Sequence, residues 1–171
     1  MKQWGLNLKS EKTQCLVIPG VGHYGEASRK LKESNAIEEI KKLNAYQKPI
    51  IGICLGAQLL LQGSEEAEKE EKGIGILEGR CIHLDKHLEY KGKIPRVGWE
   101  ELENKCDSYY FVHSYCMKLE QLTHDYQVET CKTDNVIASI EYKNIYAMQY
   151  HPEKSWKSGL EVFKNFMMKH A

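Results

Sequence analysis

Lys48-Pro49-Ile50-Ile51-Gly52-Ile53-Cys54-Leu55-Gly56-Ala57-Gln58-Leu59-Leu60-Leu61 is the stretch from which the fold is read. The short β-branched run after Pro49 has the length and composition of a buried strand, and the Leu, Ala and Gln residues after Cys54 favour helix. Cys54 stands at the joint. Glycines two before and two after it give Gly-x-Cys-x-Gly, a nucleophile elbow with cysteine in place of serine, in which strand and helix backbones cross too closely for side chains on either flank. A sulfur placed there lies at a helix N-terminus, where the dipole and free amides are expected to favour thiolate. The N–H of Leu55 is positioned to receive an oxyanion. A structural cysteine buried in a strand-to-helix turn fits the same five residues, so the decision rests on the rest of the chain.

Upstream, Thr13 to Ile18 reads as a strand that runs into Pro19-Gly20-Val21-Gly22-His23-Tyr24-Gly25. The glycine spacing matches neither common nucleotide fingerprint. Small residues here instead let backbone amides approach a substrate, as the second half of an oxyanion hole. Glu26 to Tyr46 carries Leu31, Ala36, Ile37, Ile40 and Leu43 at helical spacing, one or two amphipathic helices with a break near Ser34-Asn35. Strand, helix, strand makes a βαβ unit. Gly63 to Lys72 is dense in charge and reads as a solvated loop or frayed helix, with a flap beside the elbow as the sharper alternative.

Gly73 to Leu77 and Arg80 to Leu84 read as short strands, and Tyr109 to Tyr115 as an aromatic-rich one. Cys81, His83 and His87 lack the spacing and fourth ligand of a zinc site. His113 alone is the kind of histidine that serves structure, and Ser114 and Tyr115 at the strand end suit polar ligand contacts. Strands over Tyr126 to Cys131 and Val136 to Tyr142 precede Ile145 to Tyr150, which delivers His151-Pro152-Glu153. On an extended segment, residues i and i+2 face the same way, so His151 and Glu153 are expected to share one site as base and orienter. Leu160, Val162, Phe163, Phe166 and Met167 mark a final amphipathic helix.

The 171 residues, 42% of them hydrophobic, suffice for one domain with a substantial core. Lys+Arg and Asp+Glu both number 24, so net charge offers no case for nucleic acid or a membrane surface. No segment has the length of a membrane span or the apolar core of a signal peptide, and a cytoplasmic location is expected. The six cysteines are widely spaced and read as reduced thiols.

Cys54, His151 and Glu153 in that order on an alternating α/β chain form a thiol acyl-transfer triad. The sequence resembles the class I (triad) glutamine amidotransferases in Pro19-Gly20-Val21-Gly22, in Gly52-Ile53-Cys54-Leu55-Gly56-Ala57-Gln58 and in Gln149-Tyr150-His151-Pro152-Glu153. The resemblance implies an α/β, flavodoxin-like sheet with flanking helices and a nucleophile elbow, a single domain over residues 1–171. It implies Cys54 as nucleophile, His151 as general base and acid, and Glu153 as the group fixing the imidazole tautomer. Gly20, Val21, Gly22 and Leu55 would supply the oxyanion hole, and Gln58, Ser114 and Tyr115 would hold the amino-acid end of L-glutamine. Thioester chemistry of this kind needs no metal and no cofactor.

Ammonia released into water is protonated and loses its nucleophilicity, so a glutaminase of this size implies a separate synthase subunit. Pro19 to Gly25, Val97-Gly98-Trp99, Phe111 to Tyr115 and His151 to Ser155 narrow the resemblance to glutaminase subunits that form a heterodimer with a (β/α)8-barrel cyclase in histidine biosynthesis. Glu100 departs from that pattern, which has Asn after Gly-Trp, and gives weight to a paralogue feeding a nucleotide-sugar or surface-glycan amidotransferase. A silent, partner-binding scaffold is a further alternative, opposed by the intact triad. The family also begins with an extra strand and glycine-rich turn, so the chain is expected to be short at its N-terminus.

Overall fold

The computed structural model describes residues 12–68, 71–121 and 125–170. Its centre is a five-stranded sheet. β1 (Leu16–Ile18) leads through α1 (Tyr24–Glu33) and α2 (Ala36–Ala45) to β2 (Ile50–Ile53), and β1 and β2 pair in parallel. The helices part where expected, because Asn35 adopts a left-handed conformation at φ 56°, which asparagine tolerates better than most residues. After the short helix α3 (Leu55–Leu59) come β3 (Gly63–Ser64), β4 (Gly79–His83), β5 (Arg96–Glu101), β6 (Ser108–His113) and β7 (Tyr115–Leu119). They form a three-stranded sheet in the order β3-β4-β7 and a β5-β6 ribbon. β8 (Gln127–Thr130), β9 (Ile137–Tyr142) and β10 (Ile145–Met148) then complete the main sheet in the order β1-β2-β10-β9-β8, and α4 (Trp156–Lys169) closes the chain.

Period-two alternation explains the two-sided core. Ile50, Ile145 and Ala147 pack on one face of the sheet with Leu43 of α2 and Leu59, Leu60 and Leu61. Ile51, Tyr146 and Met148 pack on the other with Tyr109, Phe111 and Phe166. The ring of Phe166 on α4 stacks on Tyr146 at 5.3 Å. Leu160, read with the apolar stripe of α4, instead faces solvent.

Three further sequence expectations change. Gly73 to Leu77 is not a strand; Ile74 and Leu77 are buried, and the amides of residues 74 to 77 bond to the carbonyls of Leu59, Leu60 and Leu61. The aromatic strand over 109 to 115 divides at Ser114 into β6 and β7 of different sheets. The charged segment after Gly63 folds back on α1 through Glu66 Oε2, which accepts the Tyr24 N–H at 2.9 Å, and through the Lys72 carbonyl, which accepts the Ser28 hydroxyl at 2.6 Å. Met1 to Leu8, on which the expectation of a short N-terminus bears, lies outside the described residues. No described helix is long and apolar enough to cross a membrane.

The topology fixes where chemistry can occur. β1, β2 and β10 are mutually parallel neighbours, so their carboxyl ends lie together. In open α/β sheets that edge is where ligands bind. The chain leaves it as the Pro19–Gly22 loop, as Cys54 and as the segment from Gln149 to His151.

Candidate active site

Cys54 sits between β2 and α3 at φ 50°, ψ −109°, a strained conformation for a residue with a β-carbon, costing about 1–3 kcal/mol. The surroundings hold it there. Its N–H bonds to Met148 O at 2.7 Å, and its carbonyl accepts the Gln58 N–H at 3.1 Å. The flanking glycines explain the close crossing: a β-carbon on Gly56 would lie 1.8 Å from Ile18 O, and one on Gly52 2.7 Å from Ala57 Cα. Gly20 presses on the same turn, its β-carbon position 2.4 Å from Gly56 N. The Pro19–Gly22 loop is therefore packed against the elbow. Gly22 adopts φ 125° in open space, and Val21 is 88% exposed.

The sulfur is buried and touches two groups at 3.8 Å. The thiol donates to Val112 O, and the Gln149 side-chain N–H donates to the sulfur. Burial pushes the thiol up to about 11, while the Leu55 amide and the Gln149 side chain pull it down and the Glu153 and Glu66 carboxylates push it up further. This corrects the expectation of a resting thiolate. α3 has only five residues, so its dipole is small, and loss of water outweighs it.

His151 follows the β10 edge, its N–H bonded to Tyr110 O at 2.8 Å. Its Nδ1 lies 2.7 Å from Glu153 Oε1. The pairing expected from the sequence is present, with a different backbone: Pro152–Lys154 is a 3-10 turn rather than extended chain, because Pro152 presets a turn-compatible φ. The Ser155 hydroxyl secures that turn by donating to His151 O at 2.6 Å. A carboxylate only accepts, so Nδ1 carries the proton and Nε2 presents its lone pair. That Nε2 is buried without a hydrogen-bond partner among the described residues.

The residues expected to hold substrate are placed less directly. Gln58 is buried and commits both amide hydrogens internally, to Tyr115 O at 2.8 Å and Gln149 Oε1 at 3.1 Å, so neither is free for a ligand. Ser114 lies at the β6-to-β7 corner, its carbonyl accepting the Leu84 N–H at 2.9 Å. The Tyr115 ring meets His83 edge-on at 5.0 Å, and its carbonyl also accepts from His113 Nδ1 at 2.8 Å. Burial drives His113 down to about 3, with Arg96 and His151 adding to the effect, so it is neutral.

Sequence reasoning missed Gln149, Glu66 and the Val112 carbonyl. A lone amide side chain at the end of the apolar run of β10, two residues before His151, was the available signal for Gln149. Glu66 was hidden in a charge run; its carboxylate acts on both Cys54 and Tyr115. Backbone carbonyls leave no sequence signal. Cys81 is sealed in the core and His83 pairs with Asp85 at 2.6 Å. No three His, Cys, Asp or Glu side chains converge as a metal site among the described residues.

An elbow cysteine and a carboxylate-paired histidine at the carboxyl ends of parallel strands is the layout of an amidotransferase, and the chain belongs to the class I glutamine amidotransferase family, whose profile matches residues 2–170. Among relatives, it is 40% identical over 174 residues to imidazole glycerol phosphate synthase subunit HisH of Aquifex aeolicus (strain VF5), covering 94% of this chain and 80% of that protein. It is 38% identical over 173 residues to subunit HisH 1 of Campylobacter jejuni (strain RM1221), covering 92% and 82%. The fold is shared with a crystal structure of a glutamine amidotransferase at a TM-score of 0.70 and 19% identity, covering 95% of this chain and 84% of the other. It is shared also with the structure of PurLQS from Thermotoga maritima, at a TM-score of 0.67 and 18% identity over 97% and 84%.

Proposed function

We propose that this chain is the cytoplasmic glutaminase subunit of an imidazole glycerol phosphate synthase, hydrolysing L-glutamine to glutamate and passing ammonia to a separate (β/α)8-barrel cyclase. The observation that carries the reading is the His151–Glu153 pair with its bare, buried Nε2, just beyond the end of β10, the strand that adjoins β2 and its following Cys54. In the reaction, the thiol proton passes to Nε2 and the sulfur attacks the carboxamide carbon. The oxyanion is received by the Leu55 amide and by the loop over Gly20, Val21 and Gly22. His151 returns the proton to the departing ammonia, then activates water to cleave the thioester. Glu66 is the counter-charge for the α-ammonium of glutamine, and Gln58, Ser114 and Tyr115 hold its carboxylate end.

The partner would dock on the ribbon beside the site. Trp99 is 43% exposed and Trp156 78%, with their rings 5.1 Å apart. They line a cleft of about 660 Å³ with Ser108, Ser155, Lys157 and Ser158. Tyr110 lies opposite Trp99 on β6 and carries Lys154 Nζ 5.4 Å over its ring. Glu100, the departure that favours a paralogue, alternates to the other side of β5 and accepts from Thr133 Oγ1 at 3.3 Å. It therefore leaves the aromatic face unchanged, which favours the histidine-pathway reading. The test is glutamate release with and without a barrel cyclase and its nucleotide acceptor. Strong stimulation by that pair supports the proposal; stimulation only by a sugar-modifying synthase would replace it with the paralogue reading.

A further inference from the structure

Gln149 is completely buried, and the triad chemistry leaves it without a role. Its amide bridges two parts of the site: Nε2–H points at Cys54 Sγ at 3.8 Å, and Oε1 accepts from Gln58 Nε2 at 3.1 Å. An amide can turn over, exchanging its donor and acceptor ends, unless a neighbour distinguishes them. Gln58 makes that distinction. Its own Nε2 is fixed as a donor by the Tyr115 carbonyl at 2.8 Å, which can only accept, so the end of Gln149 that meets Gln58 has to be oxygen. The end that meets sulfur is then N–H. His113 Nδ1–H reaches the same Tyr115 carbonyl at 2.8 Å, tying this chain of polarity to the corner at Ser114.

We propose that Gln149 is a catalytic residue of this enzyme, the side-chain donor that stabilises the Cys54 thiolate, and that Gln58 is a positioning residue that fixes its amide with N–H toward sulfur. Hydrogen bonds to an ionised acceptor are roughly twice as strong as those to a neutral one, so the donor favours the state formed when the thiol proton moves to His151 Nε2. Val112 O acts in the opposite sense, since it holds the protonated thiol and has nothing to offer a thiolate. The sulfur thus lies between an acceptor that retains its proton and a donor that favours its loss. The inference rests on Cys54 being the nucleophile of the proposed glutaminase.

The test uses the full chain with Cys106→Ser, which removes the exposed thiol, and measures iodoacetamide alkylation of Cys54 by peptide mass mapping between pH 7 and 9.5. Gln149→Met removes the donor at similar volume, and Gln149→Glu removes it while keeping an oxygen for Gln58. Both are expected to slow alkylation about tenfold at fixed pH, the change produced by one unit of thiol pKa. In the partner-stimulated assay kcat should fall about tenfold or more with KM for glutamine within threefold. Gln58→Met, which frees the amide to turn over, should show a smaller loss of alkylation rate. Unchanged alkylation in both Gln149 variants, with thermal midpoints near the parent's, would overturn the assignment. The glutaminase reading fails separately, if Cys54→Ser hydrolyses glutamine at the parent rate.

Discussion

Cys54 rests in its unreactive form: buried, protonated, donating to a backbone carbonyl and without a hydrogen bond to His151 Nε2. A glutamine-analogue electrophile, which brings its own contacts, should modify Cys54 in the assembled complex, whereas a plain alkylating agent should reach exposed Cys106 first. Peptide mapping separates the two. Cys54→Ser should lower stimulated glutamate release by at least about a thousandfold, since the nucleophile of such a triad carries most of the catalysis. His113 gives a second prediction, about stability. Its folded pKa of about 3 lies below the unfolded 6.5, so below pH 6.5 the unfolded chain binds the extra proton and stability falls as pH falls. At pH 5 this one group costs about 2 kcal/mol. Thermal melts at pH 7 and pH 5 should therefore differ by about 4–8 °C more in the parent than in His113→Gln, which keeps a donor for Tyr115 O without the titration.

Among the elements, the elbow is the least tolerant. Gly56→Ala would set a methyl group 1.8 Å from a backbone oxygen of β1, which neither strand nor helix can yield cheaply, and should cost more than about 4 kcal/mol. Gly22→Ala meets nothing within 4 Å and carries only its backbone strain at φ 125°, about 1–3 kcal/mol. Urea melts of the two variants test this contrast, and equal losses would contradict it. The elbow was legible in the sequence because steric exclusion leaves glycines at fixed offsets from Cys54. The α1–α2 break was legible because apolar spacing fails around Ser34-Asn35. The 3-10 turn at Pro152 was not: an extended pair at i and i+2 and a tight turn both bring His151 to Glu153, and the residues do not choose between them. Gly73 to Leu77 was misread because a short apolar run shows burial without showing whether a sheet or, as here, the carbonyls at the end of a helix receive its amides. The Val112 carbonyl and the Gln149 amide meet the sulfur only through tertiary packing.

At the scale of the whole molecule, a buried ion pair ties the ribbon to the loop that follows β8 of the main sheet. Arg96 on β5 bonds to Asp134, beyond β8, and to Cys131 Sγ at 3.1 Å, with its guanidinium 4.8 Å from the Tyr90 ring centre. Arg96→Met should cost about 3–5 kcal/mol by leaving the Asp134 carboxylate buried and unpaired, and Arg96→Met with Asp134→Leu should recover much of it. Denaturant midpoints of the three proteins measure the coupling. The same ribbon carries the aromatic face, and Val112, whose carbonyl holds the thiol, lies across from Val97 on it. Of the three tryptophans in the chain, Trp99 and Trp156 are on that face, side by side and open to water. The protein's own fluorescence is consequently an optical gauge for the proposed docking. Emission should move to shorter wavelength as a bound subunit expels solvent from the indoles, allowing titration of the complex with no label attached.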